Sequence, residues 1–399
     1  MGGVKSMKLK FNLESLLIRL IGLYSIGVLL YNQIEDFFPL SKLSGIAVFI
    51  LLLFMFLKKS RQNKRSKNIL VVLAMLLVLY TFLVASNKGL NLTNGIYWVS
   101  TILCVVVFSN KNLIEKTIKK IDESYFFIKI IVIINELILL FCLLTPSCYN
   151  NEWGGVYLFG FASSNHVLAC GCCLTMVMSF FVAQREKNVI KRIIYILIPI
   201  YSILQTGSRV YLLSVIVLLV VFYKYCIKGA SVKLLVLPIG TLCGVYFFLN
   251  SGIYAKFVNP STYGNLVGME KLTSGRTAFW LIDILQYLHA DLVSQIFGSG
   301  FDFSSHINSI YYGMAIWAHN DLIEVVLSVG IMGLLVYLAS VLGLIFGSSI
   351  DKIGKCLLFI YFFGIAFLNG LFGYQHYLYS VLLLYIFMNQ YGKNITNHT

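Results

Sequence analysis

Apolar runs recur along the whole sequence, broken by short polar or basic stretches. Apolar runs of about 18 residues or more, with few charges, read as membrane helices. Twelve are predicted, at 12–31, 38–57, 68–86, 94–110, 125–145, 163–183, 193–206, 209–227, 234–250, 320–346, 356–373 and 374–391, some of them short or closely paired. The runs are continuous rather than alternating, which argues against a β-barrel. The expected fold class is an all-α polytopic membrane protein with one large extracytoplasmic loop. Residues 1–250 supply helices one to nine, 251–318 the loop, and 319–399 helices ten to twelve.

The polar breaks differ on the two sides. Basic residues cluster after alternate runs: Lys5, Lys8 and Lys10; Lys58, Lys59, Arg61, Lys64, Arg65 and Lys67; Lys111, Lys116, Lys119 and Lys120; Arg185, Lys187, Lys191 and Arg192; Lys224, Lys228 and Lys233; Lys352 and Lys355. With twelve spans every cluster falls on one side, so both termini are expected in the cytoplasm. The other side has two long segments. Pro146 to Ser164 is rich in Asn, Gly and aromatics. Ser251 to Ala318 contains an amphipathic stretch, Thr277 to Val293, with Phe279, Trp280, Ile282, Leu285 and Leu288 near helical spacing.

Composition agrees: 59% of residues are hydrophobic and 12% charged, with a formal net charge of +15. That charge would invite nucleic acid, but its confinement to short loops makes it topology information, and no nucleic-acid partner is expected. Most of the nine cysteines lie in apolar runs and read as buried free thiols. Cys170 and Cys173 have CxxC spacing but no second pair. No cleavable signal peptide is evident, and Met7 is an alternative start.

The chemistry concentrates where cations are scarce, on the outer side. The stretch Gly298 to Tyr337 joins a polar, aromatic half to an apolar helix, with His319 at the joint. An ionisable group at a membrane-helix mouth is a functional candidate. Arg209, in Thr206-Gly207-Ser208-Arg209, and Arg276, in Ser274-Gly275-Arg276, also fall at predicted helix starts. Helix N-termini present unpaired N–H groups and partial positive charge, so an added guanidinium fork suits phosphate oxygens. Ordinary alternatives are a snorkelling Arg209, a solvated Arg276 and a capping His319. Asp321 and Glu324 have capping-box spacing, His376 reads as part of an aromatic belt, and His289 and His306 as loop residues. Arg19, Lys129 and Glu136 read as helix-pairing residues. No Walker loop, Asp-x-Asp pair, HExxH or Cys–His cluster occurs, so neither metal nor cofactor is expected.

Four motifs carry a resemblance. They are Gly160-Phe161-Ala162-Ser163-Ser164-Asn165 with Leu168-Ala169; Thr206-Gly207-Ser208-Arg209; Ser274-Gly275-Arg276 with Trp280; and Gly298-x-Gly300 followed by His319-Asn320, Leu322-x-Glu324 and Gly330-Ile331-x-Gly333. In order and spacing, residues 155–345 resemble the superfamily of O-antigen ligases and O-antigen and capsular polysaccharide (Wzy-type) polymerases. Ser164 stands where that family usually has Pro, and Val210-Tyr211 where it has small residues. The resemblance implies a GT-C-like, metal-independent glycosyltransferase of the bacterial cytoplasmic membrane with an extracytoplasmic active site. Its donor would be an undecaprenyl-pyrophosphate-linked oligosaccharide. It implies that Arg209 and Arg276 hold the pyrophosphate and that His319 orients or deprotonates the acceptor hydroxyl, with Ser208, Ser274, Asn320 and Asn165 contributing to substrate binding. A chain-length regulator and a flippase would be its partners.

The alternatives are an O-antigen ligase, which hands the glycan to lipid A core, and, from another class, a polysaccharide flippase or transporter. A transporter predicts inverted repeats and charges through the bilayer depth. The sequence shows one asymmetric loop and cations at one surface.

Overall fold

The computed structural model describes residues 12–59, 65–84, 92–152, 155–258, 270, 273, 275–370 and 375–396. Lys5, Lys8, Lys10, Arg61, Lys64 and Ser274, singled out above, lie outside them. The helices are α1 (Leu13–Leu29), α2 (Tyr31–Ile34), α3 (Leu40–Lys59), α4 (Arg65–Val84), α5 (Leu92–Phe108), α6 (Lys111–Glu123), α7 (Tyr125–Leu144), α8 (Asn165–Ala183) and α9 (Val189–Gln205). They continue with α10 (Tyr211–Tyr225), α11 (Ala230–Leu249), α12 (Gly252–Val258), α13 (Arg276–His289), α14 (Leu292–Phe297), α15 (Phe303–Tyr312), α16 (Asp321–Gly347), α17 (Lys352–Leu368) and α18 (Gln375–Thr396). Among the described residues, each of the twelve predicted stretches overlaps a helix.

Among the described residues, five helices are long and apolar enough to cross a membrane: Leu40–Lys58, Tyr125–Leu144, Asn165–Ala183, Ala230–Leu249 and Asp321–Gly347. The architecture is that of an all-α membrane protein. α5 and α6 meet at 94°. α6 buries Leu113, Ile114, Thr117 and Ile121, with Lys111, Lys116 and Lys119 on the remainder of its surface, the build of a helix lying along an interface.

α8 forms the centre, packed by α1, α7, α9, α10 and α18, and nearly all its residues are buried. Its small residues Ala169, Cys170, Gly171, Cys172 and Cys173 let those neighbours approach closely. α11 has the same apolar character yet no buried residue; it packs along α9 and α12 and touches the end of α10 through Lys233.

Two segments differ from the sequence reading. Pro146 to Ser164 contains a hairpin, β1 (Tyr149–Glu152) antiparallel to β2 (Gly155–Leu158), with Tyr149 opposite Leu158. The amphipathic stretch stops at His289, because Asp291 caps a new helix, its carboxylate accepting from Ser294 N at 3.0 Å and Ser294 Oγ at 2.8 Å.

The loop docks on α16 through glycines. Gly330 breaks α16 with φ 68° and ψ −174°. A Cβ there would meet Ile296 O at 2.2 Å, and one on Gly298 would meet Ser328 O at 2.2 Å. Two backbone bonds, Ser299 N to Leu327 O at 2.8 Å and Gly300 N to Ser328 O at 3.0 Å, join the crossing. The terminal glycine signature is thus a backbone-on-backbone contact that fixes the loop against the bundle.

Candidate active site

The site forms where three connections meet: the turn before α10, the start of α13 and the corner before α16. The first is set by β2. Gly207 has φ 67°, and a Cβ on it would meet the Tyr157 ring at 2.3 Å, so this turn needs glycine over the buried tyrosine. Asn165 Nδ2 donates to Thr206 O at 3.1 Å and ties the turn to α8. Ser208 is buried, and its Oγ has no hydrogen-bond partner among the described residues. Arg209 lies in the turn rather than in α10, its guanidinium carbon 5.2 Å from the centre of the Phe257 ring on α12.

Arg276 is the first residue of α13, after Gly275 in the left-handed region. Its guanidinium donates to Leu368 O and, through Nη2 at 3.1 Å, to Asn369 Oδ1. Asn369 caps α17, which therefore ends at Leu368 rather than running on to residue 373. Its Nδ2 donates to Tyr211 OH at 3.2 Å, so one buried amide joins α10, α13 and α17.

His319 precedes the cap of α16 with φ 51°, a left-handed conformation uncommon outside glycine. The preceding residue is pinned at both backbone groups: Trp280 Nε1 donates to Ala318 O at 2.6 Å, and Ala318 N to Glu324 Oε2 at 3.4 Å. The ring is hydrogen-bonded to the Asn369 backbone, and its Nδ1 is buried with no partner among the described residues. Burial, then the Arg276 charge, push its pKa down to about 4. At neutral pH His319 is an uncharged imidazole.

Arg276 and His319 therefore come together, on a shared asparagine. His166, at the start of α8, lies within electrostatic reach of Arg276, His319 and Lys256. Its ring sits 6.0 Å from that of Tyr211. Lys256 on α12 stands 5.2 Å from the Tyr157 ring centre, beside Phe257, the partner of Arg209. Arg209 thus joins the pair's surroundings through α12, where its guanidinium packs on Phe257.

Other expectations resolve differently. Asn320, not Asp321, caps α16, its Oδ1 accepting from Leu322 N at 3.0 Å and Ile323 N at 3.3 Å. The helix begins one residue early for the expected capping box. Asp321 instead accepts from Tyr337 OH at 2.8 Å, and Glu324 from Ser304 Oγ at 2.6 Å. His376 is interior, bonded to Tyr24 OH at 3.1 Å, because α18 is enclosed by the bundle. Lys129 of α7 pairs at 3.1 Å with Glu186, which lies in the turn between α8 and α9 and not on a helix. All nine cysteines are free; Cys170 meets Tyr211 OH at 2.9 Å.

Sequence reasoning missed Asn369, His166 and Lys256. Asn369-Gly370 is a polar break inside a predicted span, and Lys256 is a cation on the side where cations are rare; both were signals. A comparison of the sequence with protein-family models and with curated proteins finds no match.

Proposed function

We propose that the protein is a polysaccharide polymerase that transfers glycan from an undecaprenyl-pyrophosphate-linked donor to a hydroxyl of a lipid-linked acceptor repeat unit. The observation that carries the reading is Arg276 and His319 held together on Asn369 at helix ends, with Lys256 and His166 close by. Clustering at one mouth favours transfer at a surface over passage through the bilayer.

In this reading the chain crosses the membrane twelve times, both termini are cytoplasmic, and the loop of residues 251–318 covers the outer mouth. The basic clusters and the flat, lysine-bearing α6 support that orientation. Arg276 and Arg209 hold the diphosphate, and Ser208 Oγ offers a further hydrogen bond; Asn320 lies next to His319, and Ser274, expected to bind substrate, lies outside the described residues. Asn165 acts through the turn it fastens.

The acceptor oxygen attacks the anomeric carbon while the bond from that carbon to the phosphate oxygen breaks. The hydroxyl proton passes to His319 Nδ1, and the electron pair leaves with the polyprenyl diphosphate. Charge develops on the leaving group, where fixed cations are worth most. A neutral imidazole with one nitrogen bonded to the Asn369 backbone keeps the other for the proton. The sugar–diphosphate bond supplies the driving force.

The test is purified protein with a defined lipid-linked repeat unit, without metal or nucleotide. A product ladder is expected. No product, or transfer only when lipid A core is added, overturns the polymerase reading, the second result in favour of the ligase.

A further inference from the structure

Cys142 and Cys148 meet at the corner where α7 ends and the hairpin begins. Cys142 lies in the last turn of α7, and Cys148 closes a short 3-10 turn, Pro146–Cys148, that leads into β1. Their exposures are 0% and 2%, and the two thiols interact directly, side chain to side chain. The backbone holds them there. Thr145 N donates to Cys142 O at 3.4 Å and Cys148 N to Thr145 O at 3.0 Å, so the chain folds back between them. Cys148 O accepts from Phe159 N at 2.9 Å and from Gly160 N at 3.0 Å. Gly160 has φ 59°, and a Cβ on it would lie 3.3 Å from Cys142 Sγ. The glycine tied to Cys148 therefore also packs over the sulfur of Cys142.

The position matters as much as the contact. Cys104, Cys170, Cys172 and Cys173 sit within helices of the bundle. Cys142 and Cys148 sit at a helix end, under a corner whose Pro146 and Ser147 are exposed. In the orientation proposed above this corner lies outside the cytoplasm, and the inference rests on that orientation. Neighbouring thiols are oxidised, and stay oxidised, in such a compartment.

We propose that Cys142 and Cys148 are a modification site, joined by a disulfide that locks the end of α7 to the start of the hairpin. The oxidant is the disulfide of a thiol–disulfide exchange protein outside the cytoplasm. One cysteine, as thiolate, attacks that disulfide and releases one donor thiol. The second cysteine displaces the other donor sulfur, the new S–S bond forms, and two protons and two electrons leave with the donor as its dithiol. Burial holds the Cys148 thiol above its ordinary value. A seated thiol is thus a poor nucleophile, and the exchange belongs to folding, before the hairpin closes over the corner. The consequence reaches the site. Tyr157 of β2 packs against Gly207 and Gly252, so a locked hairpin supports the turn that carries Ser208 and Arg209.

The test uses the full chain in membranes from acid-quenched cells. Free thiols are alkylated with iodoacetamide under denaturing conditions, disulfides are reduced, and the released thiols take N-ethylmaleimide. Mass spectrometry then reads the label at each cysteine. Maleimide on Cys142 and Cys148, and acetamide on the others, is expected. In Cys148→Ala, Cys142 should carry acetamide. Acetamide on both residues of the wild type overturns the proposal. So does maleimide on Cys142 in Cys148→Ala, which would mean another partner, Cys172 being within electrostatic reach. A phosphine reductant should lower the wild-type unfolding midpoint by a few degrees and leave Cys142→Ala/Cys148→Ala unmoved; equal shifts overturn the lock. Glu152→Cys in that double-alanine background reports the side separately. Exposed on β1, it should react with a membrane-impermeant maleimide on intact cells. A reduced pair with Glu152→Cys labelled overturns this proposal alone, and a reduced pair with it unlabelled overturns the orientation as well.

Discussion

Two regions bury polar side chains, by opposite rules. In the middle of the bundle, amide and hydroxyl groups of different helices donate to one another. Asn135 Nδ2 donates to Ser25 Oγ at 2.9 Å and Thr175 Oγ1 at 3.2 Å. Tyr377 OH meets Ser214 Oγ at 2.8 Å and donates to Tyr361 O at 2.9 Å. At the outer mouth two cations and two imidazoles gather, Arg276, Lys256, His319 and His166, and among the described residues His319 Nδ1 and Ser208 Oγ have no hydrogen-bond partner. The first arrangement stabilises helix contacts by ordinary means. The second is unfavourable in isolation and makes sense at a site completed by an anionic ligand.

That contrast sets the predictions. His319→Ala removes the proposed base and should lower transfer by roughly 10²–10⁴-fold, measured as ladder formation, with the unfolding midpoint unchanged. Normal polymer from this variant would rule out its assigned role. Arg276→Ala should cost about 10²–10³-fold, the scale for one electrostatic contact to a transition state. Arg209→Lys keeps the charge but loses the bidentate fork, and should show a smaller loss. Asn135→Leu should do the reverse: a stability loss of about 1–3 kcal/mol from the hydroxyls left without their donor, with transfer per folded molecule unchanged. If Asn135→Leu abolishes transfer in a folded protein, the division between the regions fails.

The helices were legible because continuous apolar runs admit little else, and α1, α3, α7 and α16 fall within a few residues of expectation. Burial was not. α8 and α11 read alike in hydropathy, yet one is enclosed and the other bare. The cue lay in the small residues of α8 and the polar Thr175 and Ser179 that its neighbours' side chains and its own turns satisfy. At the site, Arg276 and His319 were legible as rare outer-side ionisable groups. Asn369 showed only as a polar break in an apolar run, and its work as a bridge depends on where separate helices meet. The glycine signature was visible, but not that Gly298 and Gly330 approach backbone to backbone, since that contact is purely tertiary.

The last and smallest effect is a shift along the pH axis. A base must be uncharged to accept a proton, and burial with the Arg276 charge holds the His319 pKa down to about 4. Lowering pH from neutral should therefore leave the transfer rate flat past 6.5, where an ordinary histidine would protonate, and the rate should fall only as pH nears 4. Arg276→Gln removes one of the two causes and keeps burial. Its residual activity should show an acid limb moved upward but still below 6.5. Asn135→Leu, in the other region, should leave the limb where it is. A wild-type limb near 6.5 would mean that the group titrating in catalysis is not the imidazole held between Arg276 and Asn369.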